Sequence, residues 1–289
     1  MGMGWPGGHD PAKVMSMDEL RGTVTAVSSN GVYSFTKPNR DRIVLVPGLG
    51  VEGDVHAGVR VRHRSRVAAD PAQPNLRQVH LISSELFDEV RPKGYEVPSG
   101  GLGENVTTAG LDLLALPCGT ILRFGAARPP AAAELHPAGH ADPATEAGEA
   151  RAAGVGAGEA GATEVEAGEV GAGDVGAVLA VVAAARAATL DAATAGAVEV
   201  LAATVEREAA RSAADERPAI VLMGLRNPCA QINKFRPGLL KEVLGHDDDG
   251  GLVRKAGVMA VVLRGGAVRA GDVVTAEVPA GPHQRLDRV

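Results

Sequence analysis

The sequence predicts a mostly-β protein: a closed or distorted β-barrel with a few short helices, interrupted by a long Ala/Gly/Glu-rich insertion that is part disordered and part helical. Three observations carry this. Short β-branched runs divided by glycine turns recur along the chain, a spacing that favours a barrel over βαβ units. Residues 126–217 hold no Phe, Tyr, Trp or Lys and are dominated by Ala, Gly, Glu and Val. Strand material stands on both sides of that stretch, so one interrupted barrel is the simplest topology.

In chain order, residues 1–20 read as a flexible leader, Gly-rich and without the apolar core of a signal peptide. The barrel takes residues 21–125 and 218–279, the insertion 126–217, and a polar tail 280–289. Predicted strands are Thr23 to Val27, Ile43 to Val46, Val79 to Ile82, Val106 to Thr108, Thr120 to Phe124 and Ala219 to Met223. Val258 to Leu263, Gly265-Gly266 and Val273 to Val278 read as a hairpin or meander. Ser84 to Val90 reads as a helix with a Ser cap and a stop at Gly94; Pro237 to Leu244 starts on proline and ends at Gly245. Within the insertion, Pro129 to Gly176 repeats Glu-Ala-Gly units that deny it a core, so disorder is expected. Ala177 to Ala214 is alanine-rich and predicts one or two loosely docked helices, with a break near Gly196.

Composition excludes several classes. The chain is 45% hydrophobic but only 2% aromatic, so alanine and valine carry its apolar content and the core is built of small side chains. No stretch of about 20 strongly apolar residues predicts a membrane span; Ala177 to Leu190 comes nearest and is interrupted by Arg186. Cys118 and Cys229 are too few and too far apart for a disulfide framework, which implies a reduced, cytoplasmic protein. Residues 130–217 carry 15 acidic and 5 basic side chains, and the remainder 20 acidic and 24 basic. The body is therefore mildly basic, which suits an anionic ligand, while its excess of four is too small to imply nucleic acid.

Chemistry concentrates at Arg226-Asn227-Pro228-Cys229. Asn227 as N-cap and Pro228 at the first helical position would put Cys229 among unpaired N–H groups at the positive end of a helix dipole. Such surroundings, with Arg226 beside it, favour a thiolate. Asp54 and His56 in Gly53–Gly58 are spaced to share one side of an extended segment, so that the carboxylate orients the imidazole. Arg60, Arg62, Arg64 and Arg66 would share a face in an extended loop, and guanidinium forks match phosphate oxygens. Arg77-Gln78-Val79-His80 opens a strand with polar groups. Gly100-Gly101-Leu102-Gly103 lets backbone approach a ligand closely, and Glu104 and Asn105 follow it with a carboxylate and an amide. Cys118 reads as a turn residue and Asp247-Asp248-Asp249 as a solvated turn, while His136 and His140 fall in the segment expected to be disordered.

Taken in order, these motifs resemble the MOSC domain, the module named after the C-terminal domain of molybdenum-cofactor sulfurases. The matching residues are Gly53-Asp54, His56, Gly58, Arg77-Gln78-Val79, Gly103-Glu104-Asn105, Gly110, Gly119 and Gly125, then Arg226, Pro228-Cys229, Gly265-Gly266 and Gly271-Asp272. The resemblance covers residues 21–125 and 218–279. It implies a mostly-β barrel holding a molybdenum–pterin cofactor, with Cys229 ligating molybdenum in a reductase reaction, for example on N-hydroxylated substrates. It equally implies a sulfur carrier bearing a Cys229 persulfide without metal. Under the resemblance, Glu104 acts with Cys229 in catalysis, by orienting an arginine or relaying a proton. Arg226, Asn105, His56, Asp54, Arg62, Arg64 and Arg77 surround the cofactor. Family descriptions add pyridoxal-phosphate binding; that belongs to a separate aminotransferase-like domain, for which this chain has neither room nor a lysine motif. A redox or sulfur-donor protein is the implied partner, with no nucleic acid and no membrane. A third reading is a scaffold whose acidic insertion recruits a partner.

Overall fold

The computed structural model describes residues 20–62, 67–68, 70–125, 172–211, 215–246 and 250–289. The leader through residue 19, Arg64, the repeat stretch over 126–171 with its two histidines, and Asp247 to Asp249 lie outside the described residues.

Seven strands close a mixed barrel: β1 (Arg21–Ser28), β5 (Val79–Ser83), β6 (Val106–Ala109), β7 (Ile121–Phe124), β8 (Ala219–Leu225), β11 (Val258–Arg264) and β13 (Val273–Glu277). The order around it is β13-β7-β8-β11-β5-β6-β1, and β1 pairs back onto β13 to remove the free edges. The β5–β6 pair is parallel and the other six are antiparallel. The two-residue strand β2 (Asn39–Arg40) extends β1. A smaller sheet joins β12 (Gly266–Arg269), β3 (Arg42–Val46) and β4 (Gly50–Val51), and β9 (Leu244–His246) pairs β10 (Leu252–Arg254). The meander expected after Val258 does not form. At Gly265-Gly266 the chain leaves β11 for β3, and β13 pairs β7 and β1 instead, because closing the barrel needs that strand.

Strand periodicity sorts the core. In β8 and β11, Ile220, Leu222, Val258, Ala260 and Val262 join the barrel interior, while Val221, Met223, Met259, Val261 and Leu263 face outward. Both faces are buried because two helices cover the outer one. These are α2 (Ala172–Arg186) and α3 (Ala192–Ala209), which follow α1 (Glu85–Val90) in chain order. Val178, Val181, Val182 and Ala185 on α2, with Ala197, Val198, Leu201, Ala202 and Val205 on α3, form the stripes that pack there. Loose docking is thus corrected: small side chains let these helices sit close on the sheet. The break also falls elsewhere. Asp191 caps α3 by accepting from Thr194 N at 3.0 Å and Thr194 Oγ1 at 3.0 Å, and Gly196 lies inside the helix. The helix α2 begins within the glycine repeat, ahead of the predicted Ala177.

A third apolar cluster lies beyond β5, where Ile82 meets Leu86, Phe87 and Val90 of α1 and Ile232 and Leu239. The latter two belong to the single-turn helices α4 (Gln231–Phe235) and α5 (Leu239–Glu242), which follow the candidate cysteine. Among the described residues no helix is long and apolar enough to cross a membrane.

Candidate functional site

The barrel register builds the site. His80 on β5 stands opposite Met259 on β11, and Met259 opposite Gly224 on β8. A bulge at Met223, where the pairing skips from Leu222 to Gly224, falls just before the chain leaves the sheet. Arg226 N then donates to Gly257 O at 2.9 Å and carries the extended backbone one residue further. This tether overturns the expected capping of Cys229. The helix starts only at Gln231, with Ala230 rather than Asn227 at its N-cap position, and runs for five residues. Cys229 precedes it in a loop, half-buried, with Sγ 3.8 Å from Gln231 Oε1. Side-chain charge, not a helix dipole, is what surrounds this thiol.

A cavity of about 210 Å³ opens in front of Cys229. Four cationic side chains line it: Lys37, Arg62, Arg77 and Arg226. His56, His80, Asn75 and Asn105 add polar lining, and Phe35, Leu102 and Met259 supply apolar wall. Arg226 is 8% exposed, and its Nη1 is buried without a hydrogen-bond partner. Its guanidinium carbon lies 5.9 Å from the centre of the Phe35 ring, and Phe35 in turn packs on Phe235 at 5.6 Å. A cation over an aromatic ring is attracted by the ring's negative face without using up its N–H donors. A buried donor without a partner costs on the order of 1–3 kcal/mol, more when it is charged. Arg226 bears that cost beside a cavity.

One carboxylate organises the opposite wall. Asp54 pairs with Lys37 Nζ at 2.7 Å, and both side chains are almost wholly buried. It also accepts from Asn105 Nδ2 at 3.1 Å, His56 N at 2.9 Å and His56 Nδ1 at 3.2 Å. Asn75 Nδ2 donates to His56 O and Gly58 O, both at 2.9 Å, which fixes the turn that presents the imidazole. The Asp54–His56 pair that the spacing predicts therefore forms, in a tight turn and not an extended segment.

The electrostatics follow from burial. Desolvation works against the Asp54 carboxylate, but hydrogen bonds from His56 and the Lys37 ammonium win and hold its pKa well below the ordinary range. Burial lowers Lys37 despite Asp54. Burial lowers Arg226 too, with Cys229 and Glu104 opposing. His80 is pushed well below the usual histidine value by burial and then by Arg226. It is neutral at pH 7, and its Nε2 lies 2.8 Å from Ala256 O, which selects the Nε2–H tautomer. The site thus combines a thiol, several fixed positive charges and a neutral imidazole.

Glu104 stands behind the cavity wall and not on it. It is 0% exposed. Its oxygens accept from Gly100 N, from Leu102 N at 3.1 Å and from Thr107 Oγ1 at 3.4 Å, so it shapes its own loop. Desolvation raises its pKa against those bonds. The glycines of this loop make room for neighbouring backbone, and Gly103 also lines the cavity. Gly100 has φ +80°, and a Cβ there would stand 2.1 Å from Lys37 O; one on Gly103 would stand 2.7 Å from Phe35 O. They admit the 34–37 segment that carries Phe35 and Lys37 to the cavity. Of the remaining residues singled out in the sequence, Cys229, Arg226, Asn105, His56, Arg62 and Arg77 line the cavity, Asp54 braces it, and Arg64 lies outside the described residues.

Lys37, Phe35 and Asn75 are the contributors that no sequence motif marks, and His80 stood only as one of several polar groups on a strand. Cys118, by contrast, is 2% exposed in the cluster under α2 and α3, its Sγ donating to Met223 O at 3.5 Å, and burial pushes its thiol up to about 12. Among the described residues, no group of three or more His, Cys, Asp and Glu side chains stands ready to hold a metal ion.

No protein-family model matches the chain, and no curated protein matches it in sequence. Among solved structures it is similar to the YuaD protein from Bacillus subtilis, at 16% identity and TM-score 0.49, over 90% of this chain and 97% of that one. It is also similar to YiiM from Escherichia coli, at 14% identity and TM-score 0.40, over 91% of this chain and 73% of that one. YiiM from Geobacillus stearothermophilus gives 10% identity and TM-score 0.39, over 91% and 77%. None of these overlays reaches 0.5, so the functional reading rests on the cavity.

Proposed function

We propose that this chain is a MOSC-like barrel whose cavity holds a molybdenum–pterin cofactor, with the Cys229 thiolate as the protein's ligand to the metal. The observation that carries the proposal is Arg226: a buried guanidinium nitrogen without a partner, on the wall of the cavity that contains a half-exposed thiol. The donor set fits such a group. A soft thiolate suits a thiophilic metal, and guanidinium donors suit a phosphate. The cavity falls below the roughly 300–1,000 Å³ usual for small-molecule sites, so it would enclose only part of a pterin.

Each residue then has a task. Arg226 Nη1 donates to an anionic oxygen, and Arg62, Arg77 and Lys37 add positive charge that draws the anion in. Asp54 keeps Lys37, His56 and Asn105 in place. His56 stands at the more open side, where proton exchange with solvent is available, while neutral His80 adds no charge at the back. When bound, the cofactor supplies the redox centre, and reduction of N-hydroxylated substrates is the reaction class this reading favours.

A second reading is a sulfur carrier with a persulfide on Cys229. The seclusion of Cys118 favours it, because it leaves no second thiol to discharge a persulfide. Elemental analysis and intact mass of the full chain from a cofactor-competent host separate the two. The main reading expects near-stoichiometric molybdenum in the unaltered protein and its loss in Cys229→Ser, with the far-UV circular dichroism unchanged. Molybdenum retained in Cys229→Ser excludes thiolate ligation. A one-sulfur mass increment on Cys229 without molybdenum selects the carrier.

A further inference from the structure

His80 lines the cavity from β5, 5% exposed, and only one of its ring nitrogens is bonded to protein. Its Nε2 donates to Ala256 O at 2.8 Å, so in the neutral ring Nδ1 carries a lone pair. Among the described residues Nδ1 has no hydrogen-bond partner, yet it is not one of the buried polar atoms left without one. It therefore reaches open space, and the open space that His80 lines is the cavity.

The segment that fixes this acceptor also fixes Arg226 beside it. Ala256 O accepts from His80, and the next carbonyl, Gly257 O, accepts from Arg226 N at 2.9 Å. Gly257 has φ +95°, and a Cβ there would stand 2.1 Å from Leu81 O and 2.9 Å from His80 Nε2. Glycine lets the bend before β11 close on the imidazole. Burial, and then the Arg226 charge, keep His80 neutral. The wall thus offers a donor without a partner, Arg226 Nη1, and an acceptor without a partner, His80 Nδ1.

We infer that His80 makes the cavity selective for a tetrahedral oxyanion that carries a proton, such as hydrogen phosphate, over one that carries none, such as sulfate. The inference rests on reading the cavity as an anion site. Arg226 Nη1 donates to a charged oxygen, and the P–OH of the same anion donates to His80 Nδ1. Sulfate sets an oxygen lone pair against the Nδ1 lone pair, and the Nε2 contact keeps the ring from turning over. A site built to bond a hydroxyl rejects the analogue that lacks it, because the buried group is then left unpaired.

The test is alkylation of Cys229 by iodoacetamide in the full chain at pH 8, read by mass spectrometry at increasing phosphate, sulfate or monofluorophosphate. At that pH all are mainly tetrahedral dianions, and only phosphate carries a proton. In the unaltered protein phosphate is expected to protect with a midpoint about tenfold below those of sulfate and monofluorophosphate. His80→Phe keeps a ring and removes the acceptor; it should bring the phosphate and sulfate midpoints within about twofold of each other. A residue that only supported the wall would shift both midpoints together and leave their ratio unchanged. Where His80→Phe fails to fold, monofluorophosphate on the unaltered protein decides, because it exchanges the hydroxyl for fluorine and leaves the protein untouched. Equal midpoints for phosphate and the proton-free anions, or a preference that survives in His80→Phe, overturn the role of His80 and leave the anion site standing. No protection by any of these anions overturns the anion site and the selectivity with it. Molybdenum enters no step, so failure of the cofactor assignment by itself leaves the result readable.

Discussion

Among the described residues two arginines are buried, and they are buried differently. Arg123 on β7 is 0% exposed and faces Glu277 and Glu208 at 2.7 Å and Asp215 at 3.4 Å. Arg211 and Arg217 complete that network, which ties the end of α3 to β7 and β13. Arg226 is nearly as buried, yet among the described residues no carboxylate forms a salt bridge with it, and its guanidinium lies over the Phe35 ring. Both leave an Nη1 without a partner, but only that of Arg226 belongs to a residue lining the large cavity. A buried charge matched by acids serves the fold; the unmatched one at the cavity is the one that the proposed function assigns to a ligand.

Stability measurements should separate the pair most widely. Arg123→Met is expected to lower the unfolding free energy by about 3–5 kcal/mol, since it strips three carboxylates of their shared partner. Arg226→Met should change it by less than about 1 kcal/mol, because the site it empties had no acid to lose. Chemical denaturation of both variants checks this, and equal losses would erase the distinction.

The two cysteines sharpen the same contrast. Burial pushes Cys118 up to about 12, so at pH 8 its thiolate fraction is roughly one part in ten thousand, behind apolar packing. Iodoacetamide should modify Cys229 at least about a hundredfold faster, as peptide mass spectrometry would read directly.

Smaller effects probe the acid side of the Arg123 network. Burial opposes the Asp215 carboxylate, but Arg217 and then Arg123 bring it from the ordinary 3.8 to about 2. A depressed carboxylate stabilises the fold above its unfolded pKa and loses that effect as pH falls through its folded one. Asp215→Asn should therefore be destabilising at pH 7, with the difference from the unaltered protein fading between pH 3.8 and about 2. Removing the α3 cap by Asp191→Ala should cost about 0.5–2 kcal/mol, read as a lower melting temperature.

Much of the barrel was legible because its strands are β-branched runs bounded by glycine, and the eight predicted runs all fall on strands. What escaped was set by distant partners. The strands β2, β4, β9 and β10 are two or three residues long and exist only through pairing. The site divides the same way. Cys229 and Arg226 were legible as neighbours in an unusual tetrapeptide. Lys37 was not, because its burial depends on Asp54, 17 positions on, and on a glycine loop more than 60 positions on. What Glu104 bonds to was not legible, because a carboxylate after three glycines does not reveal that its hydrogen bonds go to Gly100, Leu102 and Thr107 of its own loop.

Calorimetric titration of the full chain with inorganic phosphate tests the role of Arg226 most directly. The unaltered protein should bind, and Arg226→Met should bind about ten- to a hundredfold more weakly, the worth of one charged hydrogen bond. Equal affinities in the two proteins would contradict it.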